Sequence, residues 1–388
     1  MPSVVYLLGL TIFSLTTAEF MVAGMMPSLA QALGVTIGEI GYLISLYALG
    51  MAIGGPLLTA LLLALRMPHK RALVWLLVLN VAGAVLAAMA PDYLTMAVAR
   101  VVMGVASSAC IGVSLTLCAA LVAPDARGRA ASFVLGGLML APVVGVPITA
   151  LIEQHFGWRA SFWAVAMLAM ACTAIVAARV PATRSQDPVS LGPEVNALFN
   201  RSLWAAYATS GLIIGATFTA FTYFSPIFTQ ITGFSMSAIP WLLAIYGCAN
   251  VIGNLVVGRY ADRYTLPILA LGLAVLGTAL ATFALGAQHA VVGVGAFLAI
   301  GLSGVSLNPA MVARVMRAAS PGPLVNTMHA SIITAGIALG TWAGGMTIDA
   351  GYGLRSPLWV GTSFAALGLL SLVPYLRRRK VALAPTAH

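Results

Sequence analysis

Long apolar runs recur along the chain at the length that a helix needs to cross a lipid bilayer. Each run has roughly 20 residues and few charges, which is the pattern of a membrane-spanning helix. The runs cover residues 4–26, 41–65, 72–90, 93–115, 129–151, 160–178, 203–229, 238–258, 266–286, 290–312, 324–348 and 355–376. We therefore predict an all-α integral membrane protein with twelve transmembrane helices.

The composition excludes a soluble protein. Of the 388 residues, 61% are apolar and only 7% are charged, whereas soluble domains carry about 25% charged residues. A water-soluble fold cannot hide this much apolar surface, so we expect the lipid bilayer to surround much of the chain.

The longest polar stretch divides the runs into two sets of six. This stretch covers residues 179–201, and we predict that it is a cytoplasmic linker. Residues 1–178 and 202–388 are then predicted to form two pseudo-symmetric six-helix bundles, of which the second ends in a short basic tail.

The basic residues are distributed as a membrane topology requires. If both termini are cytoplasmic, sixteen of the 19 Lys and Arg residues fall in cytoplasmic segments, whereas Arg159 and Arg355 fall in outer loops. This asymmetry follows the positive-inside rule, so the formal net charge of +10 needs no nucleic-acid partner. We expect a multi-pass protein of the bacterial inner membrane with both termini in the cytoplasm.

The sequence carries no signature of catalysis or metal binding. Its four cysteines lie inside apolar runs without C-x-x-C spacing, which argues against a disulfide framework or a zinc site. There is no His cluster with metal-ligand spacing, no nucleotide-binding loop and no nucleophile paired with a base. An enzyme or a receptor is therefore disfavoured, and we expect no metal and no cofactor.

Two ionisable side chains fall deep inside predicted helices. Glu19 lies in the first helix and Arg100 in the fourth, at similar distances from the predicted outer ends. Charges inside a bilayer are costly and are usually tied to a partner or to function. We hypothesise that both face one cavity, that Glu19 takes up and releases a coupling proton, and that Arg100 tunes it. The alternatives are a static ion pair and no contact at all.

Several polar residues are further candidates for a substrate cavity. They are Asn250 and Asn254 in the eighth run, Asn308 in the tenth and His329 in the eleventh. Hydrogen bonds between helices are the simpler interpretation for the asparagines, and a contact with a neighbour is the simpler one for the histidine. Asn308 precedes Pro309, so we also expect a kink or break there, which is tolerated where backbone lines a cavity.

An aromatic cluster marks the seventh run, which reads TFTAFTYFSPIF. Phe218, Phe221, Tyr223 and Phe224 form either an interfacial aromatic belt or the wall of a cavity for a planar organic substrate. We favour Tyr223 for the cavity because its hydroxyl can form a hydrogen bond.

Three motifs resemble those of a known transporter family. Residues 258–263 read GRYADR, which is similar to a G-x-x-x-D-R signature in which Gly258, Asp262 and Arg263 would make gating contacts. The equivalent loop between the second and third runs lacks the aspartate. That gate would then work without the acid, or use Asp125 or another residue instead.

The other two motifs lie in the fourth and fifth runs. RVVMGVASSA, which begins at Arg100, resembles an R-x-x-x-G-x-x-x-A motif. GLMLAPVVGVP, residues 137–147, resembles the antiporter motif G-x-x-x-G-P-x-x-G-G. In it, Pro142, Gly145 and Pro147 would permit a bend and close packing.

From these motifs and its opening segment, the chain is identified as a member of the major facilitator superfamily. It most resembles the drug:proton antiporter branch that includes chloramphenicol exporters and arabinose-efflux-like permeases. The resemblance implies a monomeric transporter that moves a small molecule by alternating access, powered by the proton gradient, with Arg100 implicated in coupling. Export of a drug or related metabolite is favoured, and uptake of a sugar, nucleoside or similar nutrient is the alternative.

Overall fold

A computed structural model gives the fold of residues 3–123, 126–181, 199–319 and 323–382. Most of the predicted linker at 179–201, the alternative gate residue Asp125 and the end of the basic tail lie outside the described residues. Within these ranges the chain is helical and no strand is present. We call residues 3–181 the N-half and residues 199–382 the C-half.

The helices are numbered in chain order. The N-half contains α1 (Ser3–Gly24), α2 (Met26–Leu33), α3 (Ile37–Leu49), α4 (Gly55–Ala64), α5 (His69–Ala88), α6 (Tyr93–Leu121), α7 (Arg127–Leu140), α8 (Val146–Phe156) and α9 (Trp158–Arg179). The C-half contains α10 (Arg201–Ile227), α11 (Ile239–Gly286), α12 (Ala290–Ser303), α13 (Asn308–Ala318), α14 (Pro323–Thr347) and α15 (Ser356–Ala382). A π-helical turn at Gly50–Gly54 joins α3 to α4, and another at Ala141–Gly145 joins α7 to α8.

Eleven helical stretches in the described residues are long and apolar enough to cross a membrane. The number is below twelve because two predicted runs, 238–258 and 266–286, fall within the single helix α11. A straight helix of its 48 residues would be about 72 Å long, more than twice the ~30 Å thickness of a bilayer core. Its backbone leaves helical geometry at Tyr264 (φ −127°, ψ 36°), three residues before Pro267. The count of twelve and the two bundles therefore stay predictions.

Local signals in the sequence set several helix starts. The hydroxyl of Thr36 accepts a hydrogen bond from the backbone N–H of Glu39, and the Glu39 carboxylate accepts one from the Thr36 N–H. This reciprocal capping box fixes the start of α3. Asp92 caps α6 with a single bond, accepting a 2.7 Å hydrogen bond from the N–H of Thr95.

The helix break expected at Asn308 lies one turn earlier. Gly304 carries the non-helical dihedrals (φ −90°, ψ −106°), and a 3₁₀ turn follows at Val305–Leu307. Asn308 then begins α13, with Pro309 in its first turn. Proline is well tolerated there because the first N–H groups of a helix have no partner within it.

Two pairs of helices bring the halves together. Helix α3 packs against α14, and α8 packs against α11. At the second crossing, a Cβ added to Gly247 would lie 2.7 Å from both the carbonyl oxygen of Pro142 and the Cα of Val143. The backbones of the two halves therefore touch directly at this point, and only glycine permits it.

The bundle has two distinguishable ends. The gate end carries Thr36, Met236 and Asp349, which belong to inter-helix segments near one another in the fold. We call the opposite end the tail end. Helix α1 begins there at Ser3 and runs to Gly24, whose carbonyl oxygen accepts a 3.5 Å hydrogen bond from the hydroxyl of Ser225 near the end of α10. The first residues of α10 therefore also lie at the tail end.

Candidate substrate cavity and gate

A cavity of about 120 Å³ lies between the two halves. Both halves contribute to its wall: Glu19, Phe20, Met51, Ile111, Leu138, Met139 and Pro142 from one, and Ile214, Phe218, Phe221, Tyr246, Asn250, Val305, Ile333, Thr334 and Ile337 from the other. Because one water needs about 10–15 Å³ of such space, the cavity has room for several water molecules. Its wall is mostly apolar and aromatic, as is usual for a site that binds an organic molecule.

Glu19 supplies the one carboxylate among the described wall residues. It lies five residues before the end of α1 and is only 6% exposed. No described residue donates a hydrogen bond to its carboxylate, so the carboxylate faces the cavity without a polar partner.

Arg100 lies behind Glu19 and does not line the cavity. It is fully buried, and its guanidinium donates hydrogen bonds of 2.6 Å to the carbonyl oxygen of Ala18 and 2.8 Å to that of Glu19. A longer bond of 3.4 Å reaches the carbonyl oxygen of Leu43, and the guanidinium sits 4.2 Å above the centre of the Tyr47 ring.

The expected neighbourhood of Glu19 and Arg100 is thus found, but the contact differs from the hypothesis. Arg100 binds the backbone of α1, and no ion pair joins it to the Glu19 carboxylate. Three carbonyl oxygens on α1 and α3 already occupy the planar fork of the guanidinium, which leaves its charge close to Glu19 without a direct bond.

The aromatic cluster divides between the cavity and the packing behind it. Phe218 and Phe221 line the cavity, together with Tyr246, whose ring centre is 5.2 Å from that of Phe221. Phe224, predicted for the cavity, is instead fully buried and stacks on Phe297 at 5.1 Å.

Tyr223 packs at the contact between the two halves rather than in the cavity. Its hydroxyl donates a 2.5 Å hydrogen bond to the carbonyl oxygen of Thr341, and its ring fills the space left by Gly344 and Gly41. The hydroxyl that favoured Tyr223 as a substrate contact is therefore already in use. In the fold, the Tyr223 side chain packs into the contact between α3 and α14.

Of the remaining predicted cavity residues, only Asn250 lines the wall. Its Oδ1 is buried and has no hydrogen-bond partner. His329 is instead 3.0 Å from the Ser210 hydroxyl and stacks on Tyr207. Asn308 is not part of the wall, whereas its neighbour in the preceding turn, Val305, is.

The gate end holds hydrogen bonds that cross between the halves. The Asp349 carboxylate accepts 2.8 Å bonds from the hydroxyls of Thr36 and Tyr42. Ser45 and Thr341 join through their hydroxyls, and the Gln154 amide donates to the carbonyl oxygen of Met236 at 2.6 Å. Asp349 was not predicted from the sequence. No local pattern around an acid at a helix end indicates a hydrogen-bond partner 307 residues away.

The predicted gating residues occupy two separate places. Gly258, Asp262 and Arg263 are exposed near the tail end, where Arg317 donates to the backbone carbonyl of Asp262 rather than to its carboxylate. The guanidinium of Arg263 lies 5.2 Å from the centre of the Tyr264 ring.

The second set of predicted gating residues lies at the crossing of the halves. Pro142 and Gly145 belong to the π-helical turn before α8, and the buried Pro147 follows in its first turn. A Cβ on Gly145 would collide with the Thr17 hydroxyl. The close approach of α1 to this turn therefore requires glycine.

This geometry defines the class of the protein: a helical, multi-pass membrane protein with a cavity between its halves. The sequence model of the Major Facilitator Superfamily matches residues 8–324. The chain therefore belongs to the Major Facilitator Superfamily and is a transporter rather than an enzyme. The resemblance stated from its motifs is confirmed.

Two relatives match nearly the whole chain. The "Chloramphenicol resistance protein" of Streptomyces lividans is 32% identical over 97% of this chain and 96% of its own length. The "Inner membrane transport protein YdhP" of Escherichia coli O157:H7 is 32% identical over 96% of this chain and 95% of its own. The first of these agrees with the predicted drug:proton antiporter branch.

A solved structure shares the fold. A bacterial homologue of the human lysosomal transporter Spinster, in an inward-facing and occupied conformation, superposes with a TM-score of 0.74 at 14% identity. The superposition covers 96% of this chain and 96% of that one.

Proposed function

We propose that this chain is a proton-coupled antiporter that exports a small organic molecule, such as chloramphenicol or a related metabolite. The observation that carries the proposal is the Glu19 carboxylate in the wall of a mostly aromatic and apolar cavity between the halves. The similarity to a chloramphenicol resistance protein supports the direction and the cargo class.

Glu19 would be the proton carrier. A carboxylate at membrane depth is costly unless it has a function or a partner, and the described residues give this one no hydrogen-bond donor. Cargo and proton can exchange if binding of one alters the free energy of binding the other. The cavity brings both to the same place, because the carboxylate and the aromatic wall share one space.

Arg100 would tune Glu19 from behind the cavity. Its hydrogen bonds to the backbone of Ala18 and Glu19 hold the positive charge near the carboxylate. A positive charge at that position favours the ionised carboxylate, whereas the apolar wall favours the protonated one. A change in the polarity of the cavity wall would then be enough for Glu19 to bind or release its proton.

The transport cycle would be alternating access by two six-helix bundles, 1–178 and 202–388, with the cavity near the membrane midplane. The hydrogen bonds at the gate end support a state that is closed on that side. Division of α11 at Tyr264 would give the twelfth helix. We propose that the protein acts as a monomer in the inner membrane with its tail end and both termini in the cytoplasm, the arrangement that its basic residues favour.

Reconstitution into proteoliposomes tests the coupling. With an imposed pH gradient, the wild type is expected to move radiolabelled chloramphenicol against its concentration gradient, and Glu19→Gln is expected to lose the response to pH. Glu153→Gln is the matched control, because Glu153 is also nearly buried but lies outside the cavity. Gradient-driven transport by Glu19→Gln at the wild-type rate would show that another group carries the proton.

Cells lacking their own efflux systems test the direction and the cargo. Expression is expected to raise tolerance to one compound class in a panel of antibiotics, nucleosides and sugars, and a protonophore is expected to abolish the effect. Accumulation of a sugar or nucleoside without any gain in tolerance would instead indicate uptake.

A further inference from the structure

A second groove opens on the membrane-facing side of the C-half, away from the central cavity. Its volume is about 410 Å³, against about 120 Å³ for the central cavity. Residues of α11 form two of its sides and the α12–α13 junction forms the third. No residue lines both this groove and the central cavity, so the two spaces are distinct.

The break in α11 creates the groove. At Tyr264 the backbone leaves helical geometry, and residues on both sides of this break line the groove. The non-helical Gly304 opens the facing side, next to Leu302 and Leu307 in the wall. The groove therefore leads from the tail end into the membrane.

The groove wall is apolar along its length and exposed to the surroundings of the protein. Val256 is 55% exposed, Leu271 67% and Leu302 44%. In a helix long and apolar enough to span a membrane, such a surface faces lipid hydrocarbon. A lipid acyl chain is compatible with this wall, because the chain carries no polar group that would need a hydrogen-bond partner there.

The mouth of the groove is aromatic and positively charged. Tyr260 and Tyr264 line it, and the guanidinium of Arg263 lies over the Tyr264 ring at 5.2 Å. Arg263 is exposed and no described carboxylate lies within ion-pair distance of it. Arg259 is exposed one turn earlier, and Asp262 is the only acid between them. Tyrosine and arginine at the end of a spanning helix suit the level of lipid headgroups.

We propose that this groove is a binding site for an anionic phospholipid of the leaflet at the tail end. One acyl chain lies along the apolar wall formed by α11 and the α12–α13 junction. The headgroup phosphate pairs with the guanidinium of Arg263, which the Tyr264 ring holds in position. The basic excess at this end provides the complementary charge for an anionic rather than a zwitterionic headgroup.

Lipid titration of the purified full-length protein tests the site. Delipidated protein is titrated with phosphatidylglycerol or with phosphatidylcholine of the same acyl chains, and bound lipids are counted by native mass spectrometry. One high-occupancy phosphatidylglycerol is expected, with Arg263→Gln weakening its binding about fivefold, the effect of one basic residue at an anionic lipid surface.

Two further variants separate a built site from ordinary surrounding lipid. Val275→Trp fills the groove from its wall, and it is expected to lower the occupancy of that lipid whatever the headgroup. Arg129→Gln is the matched control, because Arg129 is exposed at the start of α7 in the other half. Equal binding of both lipids, or equal losses in Arg129→Gln and Arg263→Gln, would overturn the proposal. Neither result depends on which cargo the protein transports.

Discussion

The hydroxyl of Tyr42 donates a 2.8 Å hydrogen bond to the carboxylate of Asp349, although 307 residues separate them. The second carboxylate oxygen accepts a bond of the same length from the Thr36 hydroxyl. Gly38 lies directly beneath, where any Cβ would collide with the carboxylate. This contact joins the start of α3 to the turn that follows α14 and holds the halves together at the gate end.

Removing the charge of Asp349 is expected to loosen the gate end. Hydrogen bonds to a charged acceptor are stronger than neutral ones, and Asp349→Asn also turns an amide N–H₂ toward a hydroxyl donor. Since the site is exposed, we expect a loss of about 1 kcal/mol, or roughly a fivefold shift toward the open gate end. Spin labels at Val35→Cys and Ser237→Cys report the distance between the halves.

The control for that measurement is Asp92→Asn. Asp92 is an exposed acid at the same end, but its carboxylate caps its own helix, and asparagine caps equally well. Cys248, the exposed cysteine of the four, is replaced in all these proteins. An unchanged distance distribution in Asp349→Asn, or the same change in Asp92→Asn, would contradict a role of Asp349 in holding the gate end closed.

Arg100→Lys is expected to destabilise the protein although the charge remains. A lysine ammonium lacks the planar fork that reaches the carbonyls of Ala18, Glu19 and Leu43 together, and buried carbonyls without donors are costly. We expect a loss of about 2 kcal/mol, measured by thermal unfolding in detergent. Arg129→Lys, at an exposed site, should unfold like the wild type. Equal stability of both variants would mean that a positive charge alone suffices at position 100.

Gly247→Ala is expected to force the halves apart where α8 crosses α11. The added methyl would lie 2.7 Å from backbone atoms of Pro142 and Val143, which cannot rotate away. Overpacking of this kind costs about 1–3 kcal/mol. Gly295→Ala is the control, because no atom lies within 4 Å of a Cβ there and alanine favours helix. A thermal midpoint that falls for the first and holds for the second is the expected result.

Asn250→Leu is expected to separate cargo binding from stability. The Asn250 Oδ1 has no partner in the described structure, so its removal leaves no group unsatisfied and the thermal midpoint should hold or rise. Cargo binding should weaken, because the cavity loses one of its few polar groups. Wild-type affinity for chloramphenicol would remove Asn250 from the binding site.

The sequence was sufficient for the features that depend on local composition. The apolar runs predicted the spanning helices because length and hydropathy decide membrane insertion. Glu19 stood out as a carboxylate deep in such a run, and it is a wall residue of the central cavity.

The features that need two distant segments could not be predicted. Tyr223 was expected in the cavity, but its partner Thr341 lies 118 residues away, and no local pattern indicates that contact. Asp349 went unnoticed for the same reason. Arg100 was expected beside the carboxylate of Glu19, whereas it binds carbonyl oxygens, which every residue has and no sequence distinguishes.

The hydrogen bonds of Arg100 have a consequence for where switching can occur. One guanidinium ties α6 to the backbones of α1 and α3. A rearrangement that separated these three helices would leave a buried guanidinium and three carbonyl oxygens without partners, which is costly. We therefore expect the surroundings of Glu19 to change mainly through the cavity residues of the C-half, such as Phe218, Phe221 and Asn250.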